Sequence, residues 1–249
     1  MHGVTLDSLR TGYRAVVFGA GGGLGAAFVR ALCDDPRCAV VYAGSRGQTA
    51  ELPTKSRPFR FDLTDEASIA AAAQTCTADG RLHLVIVATG LLHEGSLQPE
   101  RTWAALAPAT MQRAFAINAI GPGLIAKHLL AHLAAGERAV FAALSARVSS
   151  ISDNRLGGWH AYRASKAALN MLMHNFAIEL SRKSPEALCV ALHPGTVDTP
   201  LSRPFQGNVP IEKLFSAERS VADLLRVIDR LQSAHSGQLV AWDGSVIPF

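Results

Sequence analysis

An α/β domain, doubly wound about a mainly parallel sheet of about seven strands with helices on both faces, is the fold class this sequence predicts. Three observations predict it. Short apolar runs alternate with longer stretches of helical periodicity from one end of the chain to the other. Those runs lack polar alternation, as strands covered on both faces do. A glycine cluster follows the first run directly and opens the first helix, and sheets of this class take their ligands at the carboxyl ends of their strands. The chain has 249 residues, 49% hydrophobic and 18% charged, enough apolar surface for one large core. No Pro/Ser-rich linker and no internal repeat divides it, so a single domain over 1–249 is expected.

The elements follow in order. Residues 14–18 (RAVVF) are short and β-branched and read as the first strand, with a helix at 24–32 after the glycines. Residues 39–43 (AVVYA) form the next strand and 59–61 open a third. The alanine-rich stretch 65–77 begins with an acidic, capped turn at Asp65 and reads as a helix. LHLVIVA at 82–88 is a strand buried on both faces. A long helix is expected over 109–135, then a strand at 138–144, a helix at 159–182 and a strand at 188–192. The Pro-, Gly- and Ser-rich segment 195–209 is a long loop, with a substrate loop expected over about 195–216; loops of that length inside compact domains are usually functional. A helix at 217–232 and a strand at 238–242 close the domain.

Charge and cysteine content exclude several classes. Lys plus Arg is 24 against 20 Asp plus Glu, a net +4, and no block of basic residues exists, so a nucleic-acid partner is not expected. Cys33, Cys38, Cys76 and Cys189 form no CxxC pair, and the opening MHGVTLDSLR lacks the apolar stretch of a signal peptide. Free thiols in a reducing cytoplasm are the expectation. The uncharged stretch 15–29 is glycine-rich and too short to span a bilayer, so no membrane partner is expected. His128 and His132 share a helix face but have no evident third ligand, and no metal is expected. Trp103, Trp159 and Trp242 are scattered and read as core or rim.

The glycine loop runs Gly19-Ala20-Gly21-Gly22-Gly23-Leu24-Gly25. Between a strand and a helix, it lets backbone N–H groups approach a pyrophosphate at the helix N-terminus, as in a Rossmann domain. Its spacing is GxxxGxG, not the generic GxGxxG, so by itself it is equally a tight turn. Where an NAD site would place a carboxylate at the end of the second strand, this chain has Ala43-Gly44-Ser45-Arg46. A guanidinium there suits the 2′-phosphate of NADP; the alternatives are NAD or an ordinary solvated arginine.

Tyr162 and Lys166 lie four apart near a helix start, hence on one face, which continues through Leu169, Met173, Phe176 and Leu180. They are either side chains snorkelling above a buried stripe or a catalytic pair. Ser145 ends the preceding strand, where such sheets bind ligands. A phenol titrates near 10, and an adjacent ammonium lowers that value. A neighbouring hydroxyl can hold a developing alkoxide.

These motifs resemble the short-chain dehydrogenase/reductase family over nearly the whole chain. The chain carries YxxxK as Tyr162 to Lys166, the catalytic serine as Ser145, the asparagine as Asn118 and GxxxGxG as Gly19 to Gly25. PGxVxT is present as Pro194-Gly195-Thr196-Val197-Asp198-Thr199, and the adenine-contacting Asp as Asp62-Leu63. ISDNRLGGWHAYRASKAALNM and SGQLVAWDGSVIPF look like its C-factor-like (sniffer-like) group.

The resemblance implies that Tyr162 exchanges a proton with the substrate oxygen and that Lys166 lowers the tyrosine pKa and binds the nicotinamide ribose. It implies that Ser145 orients the carbonyl and that Asn118 holds a relay water. It places NADP, or less readily NAD, against Gly19, Gly21, Gly22, Gly23, Leu24, Ser45, Arg46, Asp62, Leu63, Ala88, Thr89, Gly90, Asn118, Tyr162, Lys166, Pro194, Gly195, Val197 and Thr199. A small carbonyl or alcohol substrate and a homo-oligomer, dimer or tetramer, are implied as well.

Pro122, with no N–H, removes the usual partner of the Asn118 carbonyl, and a helix kink is expected there, leaving that carbonyl for a relay water. Two departures touch the cofactor scaffold: Phe18 stands where the family has Thr, and Val87-Ala88-Thr89-Gly90 replaces its NNAG. The interval from Ser145 to Tyr162 is also a few residues longer than usual. An NADP(H)-dependent oxidoreductase is the leading reading. A nucleotide-binding signalling or regulatory protein with incidental turnover is the alternative.

Overall fold

The computed structural model describes residues 3–47, 53–207 and 209–249; position 208 of the expected substrate loop and positions 1–2 and 48–52 lie outside the described residues. The first half of the chain alternates as its apolar runs require. β1 (Tyr13–Phe18) leads to α1 (Gly23–Asp34), β2 (Cys38–Ser45), β3 (Ser56–Arg60), α2 (Glu66–Thr77) and β4 (Leu84–Val87). Asp65 caps α2, accepting the Ala67 N–H at 3.0 Å. α3 (Pro108–Phe115) and α4 (Gly121–Leu129) follow, then β5 (Ala139–Leu144), α5 (His160–Lys183) and β6 (Ala187–His193). The chain closes with β7 (Thr196–Val197), β8 (Leu214–Phe215), α6 (Ala217–Arg230), β9 (Leu239–Ala241) and β10 (Val246–Ile247).

Eight strands form the main sheet, in the order β10-β9-β6-β5-β4-β1-β2-β3, all parallel except β10, which pairs antiparallel with β9. This is one strand more than the sequence predicts, because two residues at an edge carry too little periodicity to be read. β4 and β5 are buried at every position. Alternate residues of the central strands face two cores. Val16, Val85 and Phe141 meet α2, α4 and α5; Val17, Ile86 and Val140 meet α1 and α6. Helices thus cover both faces, as the parallel pairing demands.

The expected long helix over 109–135 is not regular. A π turn, Ala116–Ile120, separates α3 from α4, with the Gly121 N–H reaching back to the Ala116 carbonyl. Pro122 cannot supply an N–H to residue 118, and one extra residue in the turn absorbs the break. The run Pro108–His132 is long and apolar enough to cross a membrane by length and composition alone. In the fold Ile125, Ala126 and Leu129 are core residues and Asn118 is fully buried.

The expected loop after β6 is partly ordered by the small β7–β8 sheet, in which Val197 pairs with Phe215. Phe18 also has a packing reason. Its ring lies edge-on to Phe59 at 5.4 Å and to Phe61 at 5.0 Å, an aromatic trio at the carboxyl end of β1 and β3. All four cysteines are buried free thiols, and burial raises Cys33 to about 11 and Cys38 and Cys76 to about 12, so they stay protonated.

Candidate active site

The carboxyl ends of β1, β4, β5 and β6 lie side by side: Phe18 pairs with Val87, Val87 with Ala143, and Leu144 with Leu192. The chain order reverses between β1 and β4, and there a cavity of about 530 Å³ opens. Ten residues expected to hold cofactor line it: Gly19, Gly21, Gly22, Ser45, Arg46, Asp62, Leu63, Ala88, Thr89 and Gly90.

The loop at its floor is held by its own backbone. Gly19, at φ +93°, and Ala20 both donate to the Gly44 carbonyl at 2.9 and 2.8 Å, and Gly22 donates to Gly19 at 3.0 Å. α1 then starts on Gly22, which offers no side-chain cap. Its first-turn N–H groups are left for an anion. A side chain at Gly23 would meet Thr199 Cγ2 at 2.9 Å, so the Thr199 turn lies directly over the loop. Among the described residues the buried Thr89 hydroxyl has no partner. An uncapped helix start, a glycine floor and an orphaned hydroxyl at one cavity fit a dinucleotide.

Other expected residues shape this groove without lining it. Leu24 packs against the core. Pro194 accepts the Ser220 hydroxyl at 2.7 Å. Gly195, at φ +78°, lies under Phe215, and buried Val197 supports the Thr199 turn. At the outer end, Asp62 accepts the backbone N–H and hydroxyl of Thr64 at 2.8 and 2.7 Å. Those bonds, with lesser help from the charges of Arg46 and Arg113, hold its carboxyl below the usual range.

Catalytic candidates gather at the inner end. A side chain at Gly90 would stand 3.6 Å from Lys166 Nζ and 3.8 Å from Asn118 Oδ1. Lys166, almost fully buried, donates to the Leu144 carbonyl at 2.8 Å. Asn118 spends both its amide protons on protein: Oδ1 accepts the Leu91 N–H, and Nδ2 donates to the Leu91 carbonyl and to Ser165 Oγ, at 2.8, 2.8 and 3.0 Å. Ser165 in turn donates to the Tyr162 carbonyl at 2.9 Å. Asn118 therefore pins the segment after β4 to the turn of α5 that carries Tyr162 and Ser165. Ser145, 4% exposed, donates from Oγ to Asn170 at 2.7 Å.

Burial sets the titration of the pair. The Tyr162 phenol is pushed up to about 12 and the Lys166 ammonium down to about 8. The sequence implies a phenol lowered by its lysine; in the fold burial raises it, and the Lys166 ammonium is engaged with Leu144. Among the described residues no carboxylate pairs with Lys166. Its folded value lies below the usual 10.5, so between about 8 and 10.5 the unfolded chain holds more protons and stability rises with pH. Lys166→Met is expected to remove that slope and to raise Tm near neutral pH by a few degrees, about 2–4 °C per kcal/mol of relieved burial. Thermal unfolding across this pH range checks it.

Several residues of the site escape sequence reasoning. Arg113 grips Glu94 with two bonds, Nε–Oε2 at 2.9 Å and Nη2–Oε1 at 3.1 Å, over the outer groove. Ile117, one helical turn beyond Arg113, lines the same wall, and that i,i+4 face was the available signal. Beside Tyr162, Gly157, Gly158 and Trp159 take left-handed conformations in succession, at φ +62°, +67° and +53°. The cost of a left-handed tryptophan is offset by its neighbours: its N–H donates to the Glu100 carbonyl at 2.5 Å. Its ring packs edge-on to Phe205 and to Tyr162 at 5.1 and 6.2 Å. The buried Glu100 carboxylate caps α5 by accepting the Ala161 N–H at 3.1 Å.

The sequence model of one protein family, described as short chain dehydrogenase, matches residues 13–209. The chain is similar to the C-signal of Myxococcus xanthus, 37% identical over 151 residues, 59% of this chain and 85% of that protein. It is 31% identical over 190 residues to the 1-hydroxy-2-glutathionyl-2-methyl-3-butene dehydrogenase of a Rhodococcus species, 75% of this chain and 77% of that one. Among solved structures, an NADPH-bound carbonyl reductase from chicken fatty liver superposes with a TM-score of 0.82 at 26% identity, over 97% of this chain and 95% of that. The carbonyl reductase Sniffer of D. melanogaster shares the fold at a TM-score of 0.80 and 20% identity, over 96% and 100% of the two chains.

Proposed function

Because the chain belongs to the short-chain dehydrogenase family, we propose that it is an NADP(H)-dependent oxidoreductase that interconverts a carbonyl compound and its secondary alcohol, with Tyr162 as acid and base. The observation that carries this reading is the meeting of Lys166, Asn118 and Gly90 at the inner end of the dinucleotide groove, one helical turn from Tyr162. When bound, the nicotinamide supplies or accepts the hydride. Tyr162 Oη gives a proton to the reduced oxygen or takes one from the alcohol. Lys166 holds the nicotinamide ribose. Ser145 hydrogen-bonds the reacting oxygen, and Asn118 fixes the segment from Gly90 to Leu91 against which the ring would lie.

NADP over NAD is supported by charge. Arg46 reaches the groove wall where an NAD site would carry a carboxylate, and a second cavity of about 230 Å³ lies between Arg46 and Arg60. Two guanidiniums suit a 2′-phosphate there, beside the Asp62 carboxylate and Ser68, which line the same space. The NADPH-bound reductase from chicken liver points the same way. Arg46→Asp is expected to lower the NADPH-to-NADH ratio of kcat/KM by about 10- to 100-fold, the worth of one charged hydrogen-bond pair. The assay is NADPH oxidation over aldehydes, ketones and quinones. An unmoved cofactor ratio rejects NADP, and no turnover across that panel rejects the enzyme.

The similarity to the C-signal favours one second reading, a nucleotide-binding signalling protein in which turnover is incidental. The two readings separate on Tyr162. A binding module has no use for a phenol at that place, so a signalling output that survives Tyr162→Phe while NADPH still binds would favour the second.

A further inference from the structure

Ser145 spends its hydroxyl proton inward. Its Oγ donates to Asn170 Oδ1 at 2.7 Å, and Asn170 Nδ2 donates to Ser149 Oγ, also at 2.7 Å. Ser149 Oγ donates to the Ala146 carbonyl at 2.5 Å. These three side chains belong to residues no more than 4% exposed. Counting protons sets the direction of the chain. A hydroxyl has one proton. Ser149 gives its own to Ala146 and so meets Asn170 with lone pairs only. Asn170 must therefore turn its NH2 toward Ser149 and its oxygen toward Ser145. The Ser145 proton is committed to that oxygen, and what Ser145 presents to the site is lone pairs. An alcohol can donate to such a group; a carbonyl oxygen cannot receive from it.

Asn170 lies two turns beyond Tyr162 and one beyond Lys166 on the same face of α5, the one carboxamide in an otherwise catalytic and apolar stripe. We propose that Asn170 is a positioning residue whose amide has two settings, one matching Ser145 to the alcohol and the other to the carbonyl compound. In the setting seen here Ser145 accepts. With the amide turned over, Nδ2 donates to Ser145 and Oδ1 accepts from Ser149, which leaves Ala146, and the Ser145 proton becomes available to a carbonyl oxygen. No covalent bond is made or broken; two hydroxyls and one amide rotate and exchange hydrogen-bond partners. The inference rests on the reading of Ser145 as the residue that faces the reacting oxygen.

Two variants push the network in opposite directions. Asn170→Asp, ionised at alkaline pH, has no donor, accepts from Ser145 and locks the alcohol setting. It is expected to raise KM for a carbonyl compound of the panel, and lower KM for its alcohol, so that their ratio moves about tenfold. Compensating changes in kcat hold the ratio of the two kcat/KM values to the reaction equilibrium. Ser149→Ala removes the acceptor that orients Asn170, frees the amide to turn, and moves the KM ratio the other way. A residue that merely supported the fold would move both KM values together. A KM ratio unmoved in both variants, or moved in the same direction in both, overturns the proposal.

One readout needs no substrate. In the 15N-labelled protein the Asn170 side-chain NH2 signal, identified by its loss in Asn170→Asp, is expected to shift and to exchange faster with water in Ser149→Ala. An unshifted signal overturns the assigned orientation, whatever the panel shows. Turnover retained in Tyr162→Phe overturns the functional reading and this inference with it. A Tyr162→Phe protein that is inactive, beside Asn170 and Ser149 variants with wild-type KM values, overturns this inference alone.

Discussion

Tyr162→Phe is expected to lower turnover by about 10²–10⁴-fold, the usual worth of a positioned acid or base, while NADPH binding and Tm stay near those of the parent. The prediction follows from where the phenol stands. Tyr162 is half-buried and does not line the main part of the groove, so the lost oxygen takes no cofactor contact away there. No neighbour can replace it. Lys166 is a donor to Leu144, and His193, beside Ser145 on the next strand, is pushed down to about 4 by burial and then by the Arg147 charge. His193 is thus uncharged near neutrality and has no proton to give readily. NADPH oxidation measures turnover, and cofactor titration measures binding. Wild-type turnover in the variant would remove Tyr162 from the chemistry.

The same residue sets a direction with pH. At about 12 the free-protein phenol is protonated near neutrality, ready to donate to a carbonyl oxygen. Reduction is therefore expected to hold level through neutral pH and fall in alkali. Oxidation needs the phenolate and is expected to climb about tenfold per pH unit below the phenol's pKa. A profile with the two limbs exchanged would contradict the assignment.

Gly25→Ala is expected to weaken NADPH binding by more than about tenfold and to lower Tm by about 5–10 °C, the upper range for overpacking against backbone. The added carbon would run into the Gly19 carbonyl oxygen and stand 2.6 Å from the carbon behind it. That carbonyl cannot yield cheaply, because it accepts the Gly22 N–H, and Gly19 itself is tied to Gly44 at the end of β2. Relief therefore means moving the loop that would cradle the pyrophosphate. Gly3→Ala, whose new carbon meets nothing within 4 Å, is the control. Fluorescence titration with NADPH and thermal unfolding read the two effects, and an unperturbed Gly25→Ala protein would show the loop to be more compliant than its bonds imply.

Much of this site is legible in the chain. Runs such as LVIVA at 84–88 are apolar at successive positions, which parallel strands covered on both faces require, so strand order aside the architecture follows from local pattern. Tyr162 and Lys166 are four apart, and helix geometry alone puts them on one face. The glycines of the loop announce themselves because only residues without Cβ fit an approach so close. Phe18 shows the limit. As a departure from the family pattern it suggests a weakened cofactor site, but it belongs to a trio with Phe59 and Phe61, partners about forty residues away.

What the amino-acid sequence determined by itself was the class of fold, the loop, the pairing of Tyr162 with Lys166 on one helix face, and the charge at Arg46, all of them matters of spacing within one element or of composition at a strand end. Tertiary structure alone decided the rest. Glu94 meets Arg113 across 19 residues, Asn118 clamps Leu91 across 27, and Ser145 gives its proton to Asn170 across 25. Such contacts depend on how strands and helices are stacked, which no short-range period encodes. Burial, too, is a property of the packed molecule. It raises the Tyr162 phenol and lowers the Lys166 ammonium because packing α5 on the sheet takes Lys166 out of water and closes part of Tyr162 off from it, and not because the two residues are four apart.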